Sequence, residues 1–348
     1  MSQYVTFDDI RAAQQRIAGV AARTALHRVE RARLRMAGGP EPSFDLYIKA
    51  ESEQPIGSFK LRGAYNMVAQ LDPEVRKRGV ITYSSGNHAQ GVAYSARALG
   101  TKAVIVMPDN TPGVKKAATA ALGAEIVLVG PASSERKLKA EQLAEEFGYT
   151  IIPPYDHPHI IAGQATCGLE IVEQLPGVDV VISPVSGGGL LSGVATAVKL
   201  AAEAGLAKQD VKVWGAEPAL AADAKESFET KHLVEWPAAK TTRTIGDGLR
   251  TQSLGALNFE HILRYVDGIV AVSEEEIFAA MRLMLAATKL VPEPSGAVTL
   301  AAALFHAEEL GLDGANGNGR KVAVVLSGGN LEPSLKGKLE QEMAVSRA

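Results

Sequence analysis

The chain has 348 residues, 46% of them hydrophobic and 22% charged, a balance that fits a globular protein with a filled core. Lys and Arg number 36 against 39 Asp and Glu, for a net charge of −3, and no Lys/Arg run stands out, so nothing suggests the electrostatic footprint of a nucleic-acid binder. No apolar run approaches the roughly 20 residues that cross a bilayer, and the single cysteine, Cys167, excludes an internal disulfide; a soluble, cytoplasmic protein is expected.

The opening, MSQYVTFDDIRAAQQRI, reads as a polar amphipathic helix and lacks the apolar core of a signal peptide. Beyond it, β-branched runs alternate with Ala-rich helical stretches. Strands are expected at 79–83, 102–107, 125–129, 179–183, 211–216 and 321–326. Helices are expected near 58–71, 87–99, 112–121, 132–147, 160–174, 188–204, 274–288 and 295–309. Uninterrupted apolar strands separated by helices imply an α/β fold with a parallel sheet buried on both faces. The stretch 36–43 (MAGGPEPS) and the Gly- and Asn-rich stretch 311–320 read as surface loops, and no 20–50-residue repeat is present. Strands from 79 to about 152 make a compact βα series.

In open α/β sheets, ligands bind beyond the carboxyl ends of strands, where loops lead into helix N-termini. Ser186-Gly187-Gly188-Gly189-Leu190 follows one such strand. Three successive glycines leave backbone N–H groups unobstructed at a helix start, which suits a phosphate; a flexible turn seldom needs three. The segment is neither a GxGxxG dinucleotide fingerprint nor GxxxxGK[ST], so a smaller phosphorylated cofactor remains. Ser84-Ser85-Gly86-Asn87-His88 follows GVITY and offers hydroxyls and amides for a carboxylate, or a simple helix cap. Ser327-Gly328-Gly329-Asn330 follows KVAVVL and alone could be a turn. Lys60, in IGSFKLRGA, lies in an otherwise small and apolar stretch; a desolvated lysine has a lowered pKa and forms Schiff bases with carbonyl groups.

SFKLRGA, SSGNHAQGVA, SGGGLLSG, EPS and LSGGN stand in the order and at about the spacing found in fold type II pyridoxal-phosphate enzymes. The chain most resembles their serine/threonine dehydratase and serine racemase branch, from about Thr24 to Asn330. The resemblance implies a tryptophan synthase β-like fold of two open, twisted, mostly parallel sheets flanked by helices. It implies a large cofactor domain from 1–78 and 156–348, and a small domain, 79–155, closing over the substrate. Lys60 matches the lysine that carries pyridoxal 5'-phosphate and shuttles the Cα proton, and Phe59 the aromatic packed on the cofactor ring. Ser186, Gly187, Gly188, Gly189 and Leu190 match the phosphate loop. Asn87 matches the partner of the phenolic oxygen, Ser327 the hydroxyl facing the pyridine nitrogen, and Glu293 an acid lining the site. Ser84 to His88 (Ser84, Ser85, Gly86, Asn87, His88) match the loop that binds the substrate carboxylate. Glu217, Asp223 and the Ala221 carbonyl resemble the oxygen ligands of a divalent cation, Mg²⁺ or else Ca²⁺ or Mn²⁺, in metal-activated members; without the resemblance the two acids would read as an ordinary helix surface.

The chain departs from the family at Thr24-Ala25-Leu26, where Thr-Pro-Leu is usual, and in an apparent insertion around 31–43. It continues 18 residues past Asn330, too few for a C-terminal regulatory domain, so feedback control is not expected. The resemblance implies β-elimination from serine, threonine or 3-hydroxyaspartate, giving a 2-oxo acid and ammonia, with a small amino acid as the partner and a homodimer or homotetramer as the assembly. Many simple threonine dehydratases carry alanine where this chain has Ser85. A serine there faces the cofactor opposite the lysine in racemases and in several hydroxyaspartate dehydratases, so racemisation is a side activity or the alternative. Arg136 and Arg250 are candidates for a distal carboxylate. A nicotinamide-dependent dehydrogenase and an inactive ligand-binding module are the readings from other classes. His157 and His159 read as a surface loop rather than a metal pair, and Trp214 as core.

Overall fold

The computed structural model describes residues 4–130, 133–313 and 318–345. Among them, ten strands run in chain order as β1 (Leu26–Val29), β2 (Asp45–Ala50), β3 (Val80–Tyr83), β4 (Ala103–Pro108), β5 (Glu125–Val129), β6 (Thr150–Ile151), β7 (Val180–Pro184), β8 (Lys212–Pro218), β9 (Gly268–Val272) and β10 (Lys321–Leu326). Six form one sheet in the order β1-β2-β10-β7-β8-β9; four form another in the order β5-β4-β3-β6. Only β1 is antiparallel to its neighbour. Every residue of β7 is buried, as are all of β10 but Lys321, which is why these strands carry no polar alternation.

The six expected strands and eight expected helical windows all appear, shifted by a few residues at their ends. The helix at the start spans Phe7–Ile17, closed by a capping box between Thr6 and Asp9, and buries Ile10, Ala13 and Ile17. Four strands were not anticipated. β1 and β2 carry charged residues, and Lys49 in β2 is fully buried because its ammonium is paired. β6 is only two residues long, and β9, GIVAV, has the same apolar signature as the six expected strands. The segment 31–43 opens as a helix, Arg31–Met36, whose Leu34 enters the main core, and continues as a loop to β2. Of the loop expected at 311–320, residues 314–317 lie outside the described residues. Trp214 is partly buried and packs on the main core. No described helix is long and apolar enough to cross a membrane.

The helix Lys60–Ala69 joins the two halves, lying against Asn87–Ala98, which follows β3, and Pro158–Gln174, which leads to β7. A Cβ at Gly163 would fall 2.6 Å from the Cα of Gly63, so the two glycines let these helices meet backbone to backbone. Beneath the contact lies a buried cluster of four charges. Arg62 Nε donates to Glu51 (2.7 Å) and its Nη1 to Glu170 (2.7 Å), while Lys49 Nζ donates to Glu170 (2.6 Å). Arg62, Lys49 and Glu51 are fully buried. Burial opposes the charge on Arg62, but Glu51 and Glu170 more than reverse this and hold its pKa above the usual value. Burial likewise opposes the Glu51 carboxylate, and Arg62 with Lys49 brings its pKa below normal.

Candidate active site

A cleft of about 820 Å³ lies between the parts of the chain that carry the two sheets, and the loops after β3, β7 and β10 all open into it. Parallel strands place their carboxyl ends on one side, so segments far apart in sequence share one wall. Phe59, Lys60, the loop Ser84 to His88, Ser186 to Leu190, Glu293 and Ser327 all line this cleft. The residues singled out in the sequence for cofactor and substrate are thus gathered in one place.

Lys60 is half-buried at the first turn of its helix. Its Nζ donates to the Pro154 carbonyl (2.7 Å) and lies 5.2 Å from the Phe59 ring centre. With no carboxylate beside it, burial lowers its pKa to about 8, which leaves a useful fraction of free amine near neutrality. Asn87 and Asn330 form a chain: Asn330 Nδ2 donates to Asn87 Oδ1 (2.7 Å), and Asn87 Nδ2 donates to Glu293 Oε1 (2.8 Å). Burial, then the negative charge of Asp247, pushes the Glu293 carboxyl up to about 7. Ser327 follows β10, and its carbonyl accepts from Phe59 N (3.0 Å), which ties the third loop to the lysine. His88 turns its imidazole inward to the Ile152 carbonyl (3.0 Å); burial and the Lys60 charge lower it to about 3, so the ring is neutral.

The glycine loop is shaped by what presses on it. A Cβ at Gly187 would lie 2.5 Å from the Tyr155 ring, and Gly188 sits at φ +96°, a left-handed conformation. Helix Gly189–Glu203 begins there with no side-chain cap, so its first N–H groups have no intrahelical acceptor. Gly187 to Leu190 are buried, and among the described residues the N–H groups of Gly187 and Gly188 meet no acceptor. A buried row of donors at a helix start fits a phosphate. Ser186 Oγ adds a hydroxyl, 2.7 Å from Thr251 Oγ1.

Glu217 is the next-to-last residue of β8, and Asp223 opens the helix Asp223–Thr230; both are buried, not the helix surface that spacing alone suggests. Glu217 Oε2 and Asp223 Oδ2 have no hydrogen-bond partner among the described residues. Burial, then Asp223, raises Glu217 well above the usual carboxylate value, and burial raises Asp223 to about 7. Two acids each with an unpartnered buried oxygen fit a hard cation, although no group of three His, Cys, Asp or Glu side chains suited to a metal occurs among the described residues.

The sequence matches the family described as pyridoxal-phosphate dependent enzymes over residues 17–328. The chain belongs to that family. It is 41% identical over 287 residues to the L-threo-3-hydroxyaspartate ammonia-lyase of Saccharomyces cerevisiae, covering 82% of this chain and 83% of the relative. It is 40% identical over 335 residues to the L-threonine ammonia-lyase of Thermotoga maritima, covering 95% and 77% of the two chains. Among solved structures, maize serine racemase superposes with a TM-score of 0.86 at 34% identity, over 99% of this chain and all of the other. The dinucleotide reading of the glycine loop gains no support from these likenesses.

Several residues that shape the cleft were not found from sequence. Tyr155 packs on the glycines, Thr251 meets Ser186, and Lys115 bridges Asp247 (2.6 Å) and Glu332 (3.3 Å) at the rim. Asn330 lay in a noted motif, whereas nothing local marks the others. Arg136 is half-buried in the cleft wall, where burial lowers its pKa. Arg250 also lines the cleft but spends Nε and Nη2 on the Thr244 carbonyl. His157 caps the helix Pro158–Gln174 and His159 lies within it, both half-buried.

Proposed function

We propose that the protein eliminates water and ammonia from a small β-hydroxy amino acid, leaving a 2-oxo acid. The observation that carries this reading is Lys60: a half-buried amine with a pKa near 8, in the same cleft as a glycine loop of unpartnered amides. Bound there, pyridoxal phosphate supplies an electron sink for the pair left at Cα. Ser186 and the amides of Gly187 to Leu190 would hold its phosphate, Phe59 its ring face, Asn87 its phenolic oxygen, and Ser327 would give the pyridine nitrogen a neutral hydroxyl. Ser84 to His88 would fix the substrate carboxylate with hydroxyls and backbone amides. Lys60 Nζ would take the Cα proton and pass it to the β-hydroxyl, which departs as water, and a second water then hydrolyses the released imine to the 2-oxo acid and ammonia. Glu293, buried and near pH 7 in its titration, can keep its proton beside Asn87.

Arg136 in the cleft wall favours a substrate with a distal carboxylate, the 3-hydroxyaspartate class, within this reading. Glu217, Asp223 and the Ala221 carbonyl would hold Mg²⁺, Ca²⁺ or Mn²⁺, on the strength of the two unpartnered oxygens. The unit 79–155 would close over the substrate, with Lys115 reaching across to Asp247 and Glu332. Ser85 in the cleft supports amino-acid racemisation as a second reading, since a proton donor opposite Lys60 is what that reaction needs. Borohydride reduction followed by peptide mass spectrometry should place the cofactor on Lys60, and Lys60→Ala should lose both the adduct and 2-oxo acid release across a panel of hydroxy amino acids. An adduct on another lysine overturns the assignment.

A further inference from the structure

The glycine loop is gripped from behind by residues that no motif marks. The Gly187 carbonyl accepts from Gly255 N (3.0 Å) and from Asn258 Nδ2 (2.8 Å). Asn258 stands in the first turn of the helix Ala256–Tyr265, whose start is fixed by Asp156: its Oδ1 accepts from Leu257 N (3.1 Å) and Asn258 N (3.2 Å). In a trans peptide the C=O and the following N–H point in opposite directions. Anchoring the Gly187 carbonyl to this helix therefore turns the Gly188 N–H away from it. That N–H meets no acceptor among the described residues.

Three consecutive residues connect the parts. The Pro154 carbonyl holds Lys60 Nζ, Tyr155 lies against Gly187 with its ring and against Gly189 with its Cβ and backbone, and Asp156 holds the helix that carries Asn258. Asn258 is fully buried, and its Oδ1 has no hydrogen-bond partner among the described residues, so half of its amide is desolvated without return. A leucine would fill the same space without that loss. An amide in this position is explained by what its other half does to Gly187.

We infer that Asp156 and Asn258 are positioning residues for the cofactor phosphate: they set the Gly187–Gly188 peptide so that its N–H faces the phosphate, without touching it. The inference requires only that pyridoxal phosphate sits at this loop, and it holds whichever reaction follows. Removing the amide frees the peptide to rotate and loosens the phosphate, while leaving the covalent chemistry of Lys60 intact.

The test uses the holoenzyme. Cofactor release is followed by trapping, the bound phosphate is followed by ³¹P NMR, and melting is measured on the same samples. Asn258→Leu should fold with unchanged or higher thermal stability, release pyridoxal phosphate about tenfold faster, and shift or broaden the ³¹P resonance. Asp156→Ala should do the same through the loosened helix start, and Asp156→Asn, which keeps an acceptor at Oδ1, should restore slow release. Pyridoxal, which lacks the phosphate, should be retained equally by the wild type and all three variants. Faster release of phosphate-bearing cofactor alone sustains the inference. It is overturned if folded Asn258→Leu releases the cofactor at the wild-type rate, or if pyridoxal is weakened to the same extent.

Discussion

Replacing Glu293 by glutamine should make the protein more stable, by an amount that grows as the pH rises from about 5 to 7 and then levels off. The carboxyl is buried beside Asn87 with Asp247 nearby, and its pKa moves from 4.5 to about 7. The folded protein therefore keeps a proton, between those values, that the unfolded chain has released. The stability tied to the protonated form is complete below about pH 4.5 and is lost as the pH rises through 7, because stability falls with pH wherever the native state binds more protons. At 1.36 kcal/mol per unit, a shift of this size costs roughly 3 kcal/mol once the carboxylate is fully charged. Glutamine keeps the oxygen that accepts from Asn87 Nδ2 and never charges. Thermal and urea unfolding of both proteins across pH 5 to 8.5 would measure the gap. It should be near zero at the acid end and reach about 2–3 kcal/mol, several degrees in Tm, at the alkaline end. A gap of constant size across that range, or a glutamine variant less stable at pH 8.5, refutes the reasoning.

Arg62→Met should destabilise the fold by about 3–5 kcal/mol, because it leaves Glu51 and Glu170 buried with only Lys49 to answer them; a urea-unfolding loss under about 1 kcal/mol would contradict this. Ser85→Ala should abolish interconversion of L- and D-serine while largely sparing elimination from the L-isomer, with chiral chromatography and an oxo-acid assay run on one sample. Collapse of elimination with racemisation intact would show the two-face assignment of Lys60 and Ser85 to be wrong. Chelation should lower Tm, Mg²⁺ should restore it, and Glu217→Gln should not respond to either; a wild type that ignores chelator and carries no metal by elemental analysis removes the cation site.

Local patterns revealed the strands that are apolar throughout, because burial on both faces leaves one signature. They hid β2, whose Lys49 is acceptable in the core only because Glu170, 121 residues later, neutralises it. The same division runs through the site. Lys60, the triple glycine and Asn87 carry their chemistry in composition, so they could be picked out before any fold was known. Tyr155, Asp156 and Asn258 act by where they stand against other segments, and a tyrosine, an aspartate and an asparagine have many bland uses. The buried setting of Glu217 and Asp223 was likewise invisible from spacing, since one lies on a strand and the other at a helix start.

The central strand of the large sheet is also its last. β10 inserts between β2 and β7, and its pairing with β2 joins residues about 276 positions apart, Lys321 against Asp45. On the ribosome, at 5–20 residues per second, β2 waits roughly 15 s to a minute for that partner. During that interval β1 covers one of its edges and the other stays open, a template for wrong pairing. Lys60 is made early, yet the Ser327 carbonyl that receives Phe59 N arrives only after β10. A nascent chain that stops short of Leu326 therefore has its lysine but not the finished cleft. Completion of the cleft is accordingly a late event in synthesis, set by a sheet whose middle is the final piece to be delivered.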